Sequence, residues 1–154
     1  MPKEKAPKLR IAMFEPDIPQ NAGAMLRLCA GLSVGLDIIE PCGFLMDDRK
    51  LKRAAMDYIK LADRQVFSSW NDFIEVRKDN RLILLTTKTN QSYLDFTFKD
   101  GDILLAGSES KGAPEYVHTY CQNKVTIPLH PQARSLNVVN ATALILGEAI
   151  RQTI

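Results

Sequence analysis

Three cysteines and two histidines in 154 residues leave little material for a metal centre or a disulfide framework. Cys29, Cys42 and Cys121 are odd in number, widely spaced and form no CxxC pair. That excludes a zinc ribbon or a redox pair and points to a reducing, cytoplasmic compartment. With only His118 and His130 beside them, no metal site is expected. No run approaches the roughly 20 apolar residues of a membrane span. The opening MPKEKAPK lacks the apolar centre of a signal peptide, so residues 1–8 read as a basic flexible tail. No GxGxxG follows the first apolar run and no P-loop occurs, which argues against a nicotinamide enzyme, a standard Rossmann methyltransferase and a nucleotide hydrolase. Charge of either sign is scarce in excess. Twenty Lys and Arg against 18 Asp and Glu leave +2, too little to argue for nucleic acid by itself.

What is present is an ordinary globular balance, 45% hydrophobic and 25% charged, enough for one domain over 9–154. Apolar runs at 9–15, 35–40, 65–67, 81–87, 102–107 and 124–128 read as strands, the strong ones without alternation, as when both sheet faces are covered. Between them, 22–33 (with Asn21 as N-cap), 47–57, 71–78, 114–121 and 137–152 read as helices. Strands alternating with helices predict an α/β fold with a mostly parallel sheet flanked by helices. No element is assigned to 87–101.

Two loops stand where such sheets bind ligands, just beyond strand ends. GSESKG (107–112) is either a tight strand-to-helix turn or a ligand loop, and IPLHPQARS (127–135) leads into the last helix. In the first helix Arg27 is the only charge, with Gly23 and Gly31 one turn away on the same face. A cation in so apolar a helix needs a partner. It is either an internal ion pair or a phosphate or ribose contact suited to the planar fork. Arg49, Lys50, Lys52 and Arg53 form the one dense basic cluster, either a solvated helix face or a phosphate-tracking patch. The cysteines have no base at suggestive spacing and read as packing residues.

Together, EPDIPQNAGAMLRLCA, LLAGSESKG and IPLHPQARSLNVVNA resemble the three motifs of the SPOUT RNA 2′-O-ribose methyltransferases. The similarity is closer still to the small, single-domain tRNA (cytidine/uridine-2′-O-)methyltransferase subgroup acting at the wobble position. IIEP-x-GF (38–44), DD-x-x-L-x-R-A (47–54) and LTTK (85–88) follow in that subgroup's order. The resemblance spans residue 9 to about 151. It departs at Val139, where the family usually has Ser, and at Gly147, where the subgroup commonly has Tyr.

The resemblance implies a C-terminal trefoil knot whose loops hold S-adenosylmethionine, released as S-adenosylhomocysteine, with no metal. Carried over residue by residue, it assigns the cofactor to Leu85, Thr86, Gly107, Gly112, Ile127, Pro128, Ser135, Leu136 and Asn137. Catalysis falls to Arg27, Asn21 and Glu109, and tRNA binding to Arg49, Lys50, Lys52 and Arg53. Ser135 and Asn137 then satisfy loop and cofactor polar groups. A purely local role, Ser135 capping the last helix and Asn137 bonding nearby, stays open. The expected reaction is transfer of a methyl group to the ribose 2′-OH of the wobble cytidine or uridine. The alternatives are the same reaction at another tRNA or rRNA position and a non-catalytic RNA- or cofactor-binding module. A homodimer through helices 22–33 and 137–152 is expected. Outside its core arc the last helix carries Asn137, Asn140, Leu144, Gly147, Glu148 and Arg151, too mixed for core and too apolar for an idle surface.

Overall fold

Six short strands, all parallel, make one sheet in the order β3-β2-β1-β5-β4-β6. They are β1 (Arg10–Phe14), β2 (Gly35–Ile39), β3 (Arg64–Phe67), β4 (Leu82–Leu85), β5 (Ile103–Ala106) and β6 (Asn123–Val125) in a computed structural model describing residues 8–154. Except for Lys8, the expected basic tail lies outside the described residues. Alternation along each strand divides the core between two faces. Ile11, Met13, Leu36, Ile38, Ile83, Leu104 and Val125 face one layer, with α1 (Pro19–Gly31), α2 (Arg49–Ala55) and α5 (Val138–Thr153). Ala12, Phe14, Ile39, Leu84, Ile103 and Leu105 face the other, with α3 (Trp70–Val76) and α4 (Glu115–Tyr120). Burial on both faces explains why these strands read as continuous apolar runs.

The helix starts differ from expectation in one instructive place. α1 begins at Pro19, with Ile18 before it and no side-chain cap, because proline at the first position needs no hydrogen-bond partner. Asn21 is therefore inside the first turn, free to point elsewhere. α2 is shorter than 47–57 and passes into a 3-10 turn at Met56–Lys60. It is capped by Asp48, whose Oδ1 accepts from the Lys50 N–H at 2.7 Å. Segment 87–101 holds a single 3-10 turn, Tyr93–Asp95. Ser92 forms a parallel bridge with Thr126, so the chain leaving β6 runs alongside this segment. Gln152 of α5 ties back to it, accepting from the Phe98 N–H at 2.8 Å and donating to the Phe96 carbonyl at 3.0 Å.

One buried charge sits in the sheet itself. Asp37 of β2 is fully buried and is held by Arg10 Nη2 at 2.7 Å and Arg77 Nε at 2.8 Å. Two guanidinium forks satisfy its oxygens, which is what makes a carboxylate tolerable there. The three cysteines are packing residues. Burial pushes the Cys29 thiol up to about 12 and the Cys121 thiol to about 11. Such thiols are not nucleophiles at neutral pH. No helix of the described residues is long and apolar enough to cross a membrane.

Candidate active site

The strand order reverses around β1 and β5: the chain runs outward through β2 and β3, then crosses to β4 on the other side. Ligands of open parallel sheets lie beyond the strand ends near such a switch. A cleft of about 570 Å³ opens there, walled by Leu85, Ala106 and Val125, the last residues of β4, β5 and β6. The loop 107–112, the segment 125–129, residues 135–138 and one face of α5 complete it.

Each loop has a physical reason for its course. In GSESKG, Gly112 adopts φ +68°, the left-handed region that favours glycine. The loop closes on itself through Gly112 N–H to Ser108 C=O at 2.8 Å and Ser108 N–H to Gly112 C=O at 3.3 Å. A Cβ on Gly107 would come 2.6 Å from Ala113 N and 2.7 Å from Gly112 C. The glycine at 107 is thus required by its own loop. The Asn137 Oδ1 caps α5, accepting from the Val139 N–H at 2.8 Å and the Asn140 N–H at 3.3 Å.

The polar groups at these ends are joined. Asn137 Nδ2 donates to Asn21 Oδ1 at 3.2 Å, and Asn21 Nδ2 donates to Glu109 Oε1 at 3.4 Å. Glu109 Oε2 accepts the backbone N–H of Asp17 at 2.8 Å, and the Ser110 hydroxyl donates to the Asp17 carboxylate. One chain of contacts thus links the start of α1, the glycine loop and the cap of α5. Burial and the adjoining Asp17 push the Glu109 carboxyl upward, while Glu109 and Ser110 hold Asp17 down at about 2. As pH falls, Glu109 therefore takes up a proton before Asp17 does.

Leu85, Thr86, Gly107, Gly112, Ile127, Ser135, Leu136 and Asn137 all line the cleft, with Asn21 and Glu109. Pro128 is not among the lining residues, although Ile127 and Leu129 on either side of it are. Ser135 is exposed and caps nothing; the cap is Asn137. Arg27 stands outside the cleft. It is exposed, and its guanidinium sits 5.6 Å from the centre of the Tyr58 ring. No ion pair holds it among the described residues, so the internal-pair reading fails. The space beside Gly23, one turn before Arg27, is filled by the backbone of Leu51 in α2. Arg49, Lys50, Lys52 and Arg53 are exposed along α2, away from the cleft wall.

The cleft also contains residues that sequence reasoning passed over. Buried His118 of α4 lines it, its imidazole pushed below the ordinary range by burial and by Lys88. Thr142 of α5 lines it with a fully buried hydroxyl. Neither lies in a loop motif. Only the 3.6-residue spacing of Val138, Ala141, Thr142 and Ile145 marked a common face.

Residues 8–147 match the model of the SpoU rRNA Methylase family. The chain belongs to that family. It is 50% identical over 145 residues to a tRNA (cytidine(34)-2′-O)-methyltransferase of Beijerinckia indica, covering 92% of this chain and 90% of that one. A solved structure described as giving insight into the 2-OH methylation of C/U34 on tRNA superposes with a TM-score of 0.91 at 36% identity, covering 96% of this chain and 97% of the other. The SpoU methyltransferase AviRb of Streptomyces viridochromogenes, in complex with AdoMet, has a TM-score of 0.84 at 27% identity. It covers 95% of this chain and 61% of that one.

Proposed function

We propose that this SpoU family member transfers a methyl group from S-adenosylmethionine to the ribose 2′-OH of nucleotide 34, cytidine or uridine, in tRNA. The observation that carries the reading is the polar chain Asn137–Asn21–Glu109–Asp17, which ties the three motif segments around one cleft. The name of the 50%-identical relative, matched nearly end to end, supports the same substrate. The cleft suits the cofactor. It has the volume for a nucleoside-sized ligand and an aliphatic wall for a flat base.

When bound, S-adenosylmethionine supplies a methyl group on a cationic sulfur, so the acceptor oxygen needs alignment and loss of its proton. Leu85, Ile127, Leu136 and the α5 face would hold the donor, and Gly107 and Gly112 give the adjoining loop its shape. Alignment of the reacting atoms lowers such barriers by several kcal/mol. Asn21 and Glu109 keep the rim of the cleft fixed, and Glu109 serves as a bracket between Asp17 and Asn21. A guanidinium is a poor base. Arg27 stabilises the developing alkoxide and an adjacent phosphate, the proton passing to water or phosphate.

Arg27 lies six residues beyond Asn21 on α1, about 9 Å along the axis. From there it serves a cleft most directly across a pair of chains. The homodimer through α1 and α5 belongs to the same proposal. Leu144 is 49% exposed, and Gly147 has open space around it where a partner backbone fits. Arg49, Lys50, Lys52 and Arg53 are then the tRNA phosphate patch, residues 9–154 the single catalytic domain, and the cytoplasm its place of action. The trefoil knot is proposed on the same footing, with 87–101 the loop and the stretch after β6 the threaded segment.

The test is transfer of isotope-labelled methyl from S-adenosylmethionine to tRNA, followed by digestion to nucleosides. Labelled 2′-O-methylcytidine or 2′-O-methyluridine is expected; label on a base, or none, removes the proposal.

A further inference from the structure

His118 of α4 is 8% exposed and lines the cleft, and its imidazole makes no hydrogen bond among the described residues. The ring nitrogens are not sealed away. Among the described residues, the inaccessible side-chain atoms without a partner are Asp17 Oδ1 and Thr142 Oγ1, neither of them on His118. An imidazole so deeply set with nothing to bond costs free energy that an aliphatic side chain of similar size avoids. A ligand in the cleft can reach it and complete it.

The surroundings say which part of a ligand that is. α4 and α5 cover opposite faces of the sheet, Val117 and Cys121 lying in one core layer and Ile145 and Leu146 in the other. A molecule laid across the strand ends therefore has α5 on one side and His118 on the other. The ring is acted on by Lys88, three residues past the end of β4, and by Lys124, beside Val125 at the end of β6. At that flank the cleft is lined by Leu85, Val125 and Ile127, an aliphatic seat. Toward α1 it is lined by Asn21, Ser108 and Glu109, a polar one. The cofactor is divided in the same way, into a flat uncharged nucleoside and a zwitterionic amino-acid tail. The nucleoside matches the flank that holds His118. Burial and the two lysines, against Glu115 of the same helix, favour the uncharged ring. In that form it offers one N–H donor and one nitrogen acceptor, the mixed pattern a neutral base or ribose presents.

We propose that the His118 imidazole hydrogen-bonds the nucleoside half of the bound cofactor and is a specificity residue for it. The inference rests on the cofactor reading above. Calorimetry with S-adenosylhomocysteine and with 5′-methylthioadenosine, which lacks the amino-acid tail, tests it on wild type, His118→Leu and His118→Gln. His118→Leu is expected to bind both ligands about tenfold more weakly. His118→Gln, which keeps a neutral donor and acceptor, should stay within about threefold of wild type. Unchanged affinity in His118→Leu overturns the inference. So does a His118→Gln protein as weak as His118→Leu, which assigns the loss to the shape of the wall. A loss confined to S-adenosylhomocysteine places the contact on the tail and overturns the nucleoside assignment. Nitrogen-15 NMR of the wild-type chain, which has two histidines, needs no variant to fold. The His118 ring resonances should move when 5′-methylthioadenosine is added, and resonances that stay in place overturn the contact. A wild-type protein that binds neither ligand defeats the cofactor reading itself, a distinguishable result.

Discussion

Replacing Gly107 by alanine adds one methyl group to the turn that bounds the cleft. That carbon would stand 2.6 Å from Ala113 N and 2.7 Å from Gly112 C, both backbone atoms that no rotamer change can move aside. The loop must therefore open, and two hydrogen bonds close it: Gly112 N–H to Ser108 C=O and Ser108 N–H to Gly112 C=O. Losing both costs about 1–3 kcal/mol. Relieving the overlap by strain instead costs about 1–3 kcal/mol. The expected destabilisation is about 1–3 kcal/mol by either route, a fall in Tm of roughly 2–12 °C for a chain of this size. Opening also displaces Glu109, which bridges Asp17 and Asn21, so the affinity for S-adenosylhomocysteine should fall as well. Urea and thermal unfolding measure the first effect and calorimetry on the folded variant the second. A Gly107→Ala protein with wild-type Tm and wild-type affinity would refute the assignment of this glycine to loop closure. The argument differs from a ligand clash, because the methyl meets the loop's own backbone before it meets anything bound.

Three further outcomes are expected. Arg27→Ala should abolish methyl transfer while leaving S-adenosylhomocysteine affinity near wild type, and Arg27→Lys should rescue poorly because an ammonium lacks the planar fork; full activity in Arg27→Ala would remove the residue from the reaction. Asp17, held at about 2, contributes stability above its unfolded value of 3.8 that is lost as pH falls toward 2. In Glu109→Ala its carboxyl should titrate closer to 3.8 by carbon-detected NMR, and an unmoved titration would break the pair. Gly147→Trp should sediment as a monomer and lose methyl transfer together, because the open surface at Gly147 is the proposed contact; a fully active monomer at micromolar concentration would exclude the pair of chains.

The elements were legible in the sequence because β/α alternation and two-sided burial leave strong periodic signals. Each of the six strands, β3 included, falls within or one residue from the apolar run expected for it. The helix starts were less so. Asn21 has the chemistry of a cap, but Ile18 precedes a proline that starts the helix without one, which frees the Asn21 amide for Glu109 and Asn137. Three motif segments were visible separately, yet the hydrogen bonds joining residues 17, 21, 109 and 137 depend on tertiary placement. Arg27 illustrates the converse. Its apolar neighbours suggested burial, but α2 covers the Gly23 side of the helix and leaves the guanidinium in solvent over Tyr58. Thr142 was hidden because a threonine in an apolar helical row looks like core.

The most direct measurement uses an anticodon stem-loop of a substrate tRNA whose nucleotide 34 carries a 2′-hydrogen in place of the hydroxyl, compared with the all-ribose molecule. The account predicts labelled methyl transfer to the ribose form and none to the form lacking that single oxygen. Equal transfer to both would contradict it, because the acceptor would then be some other atom.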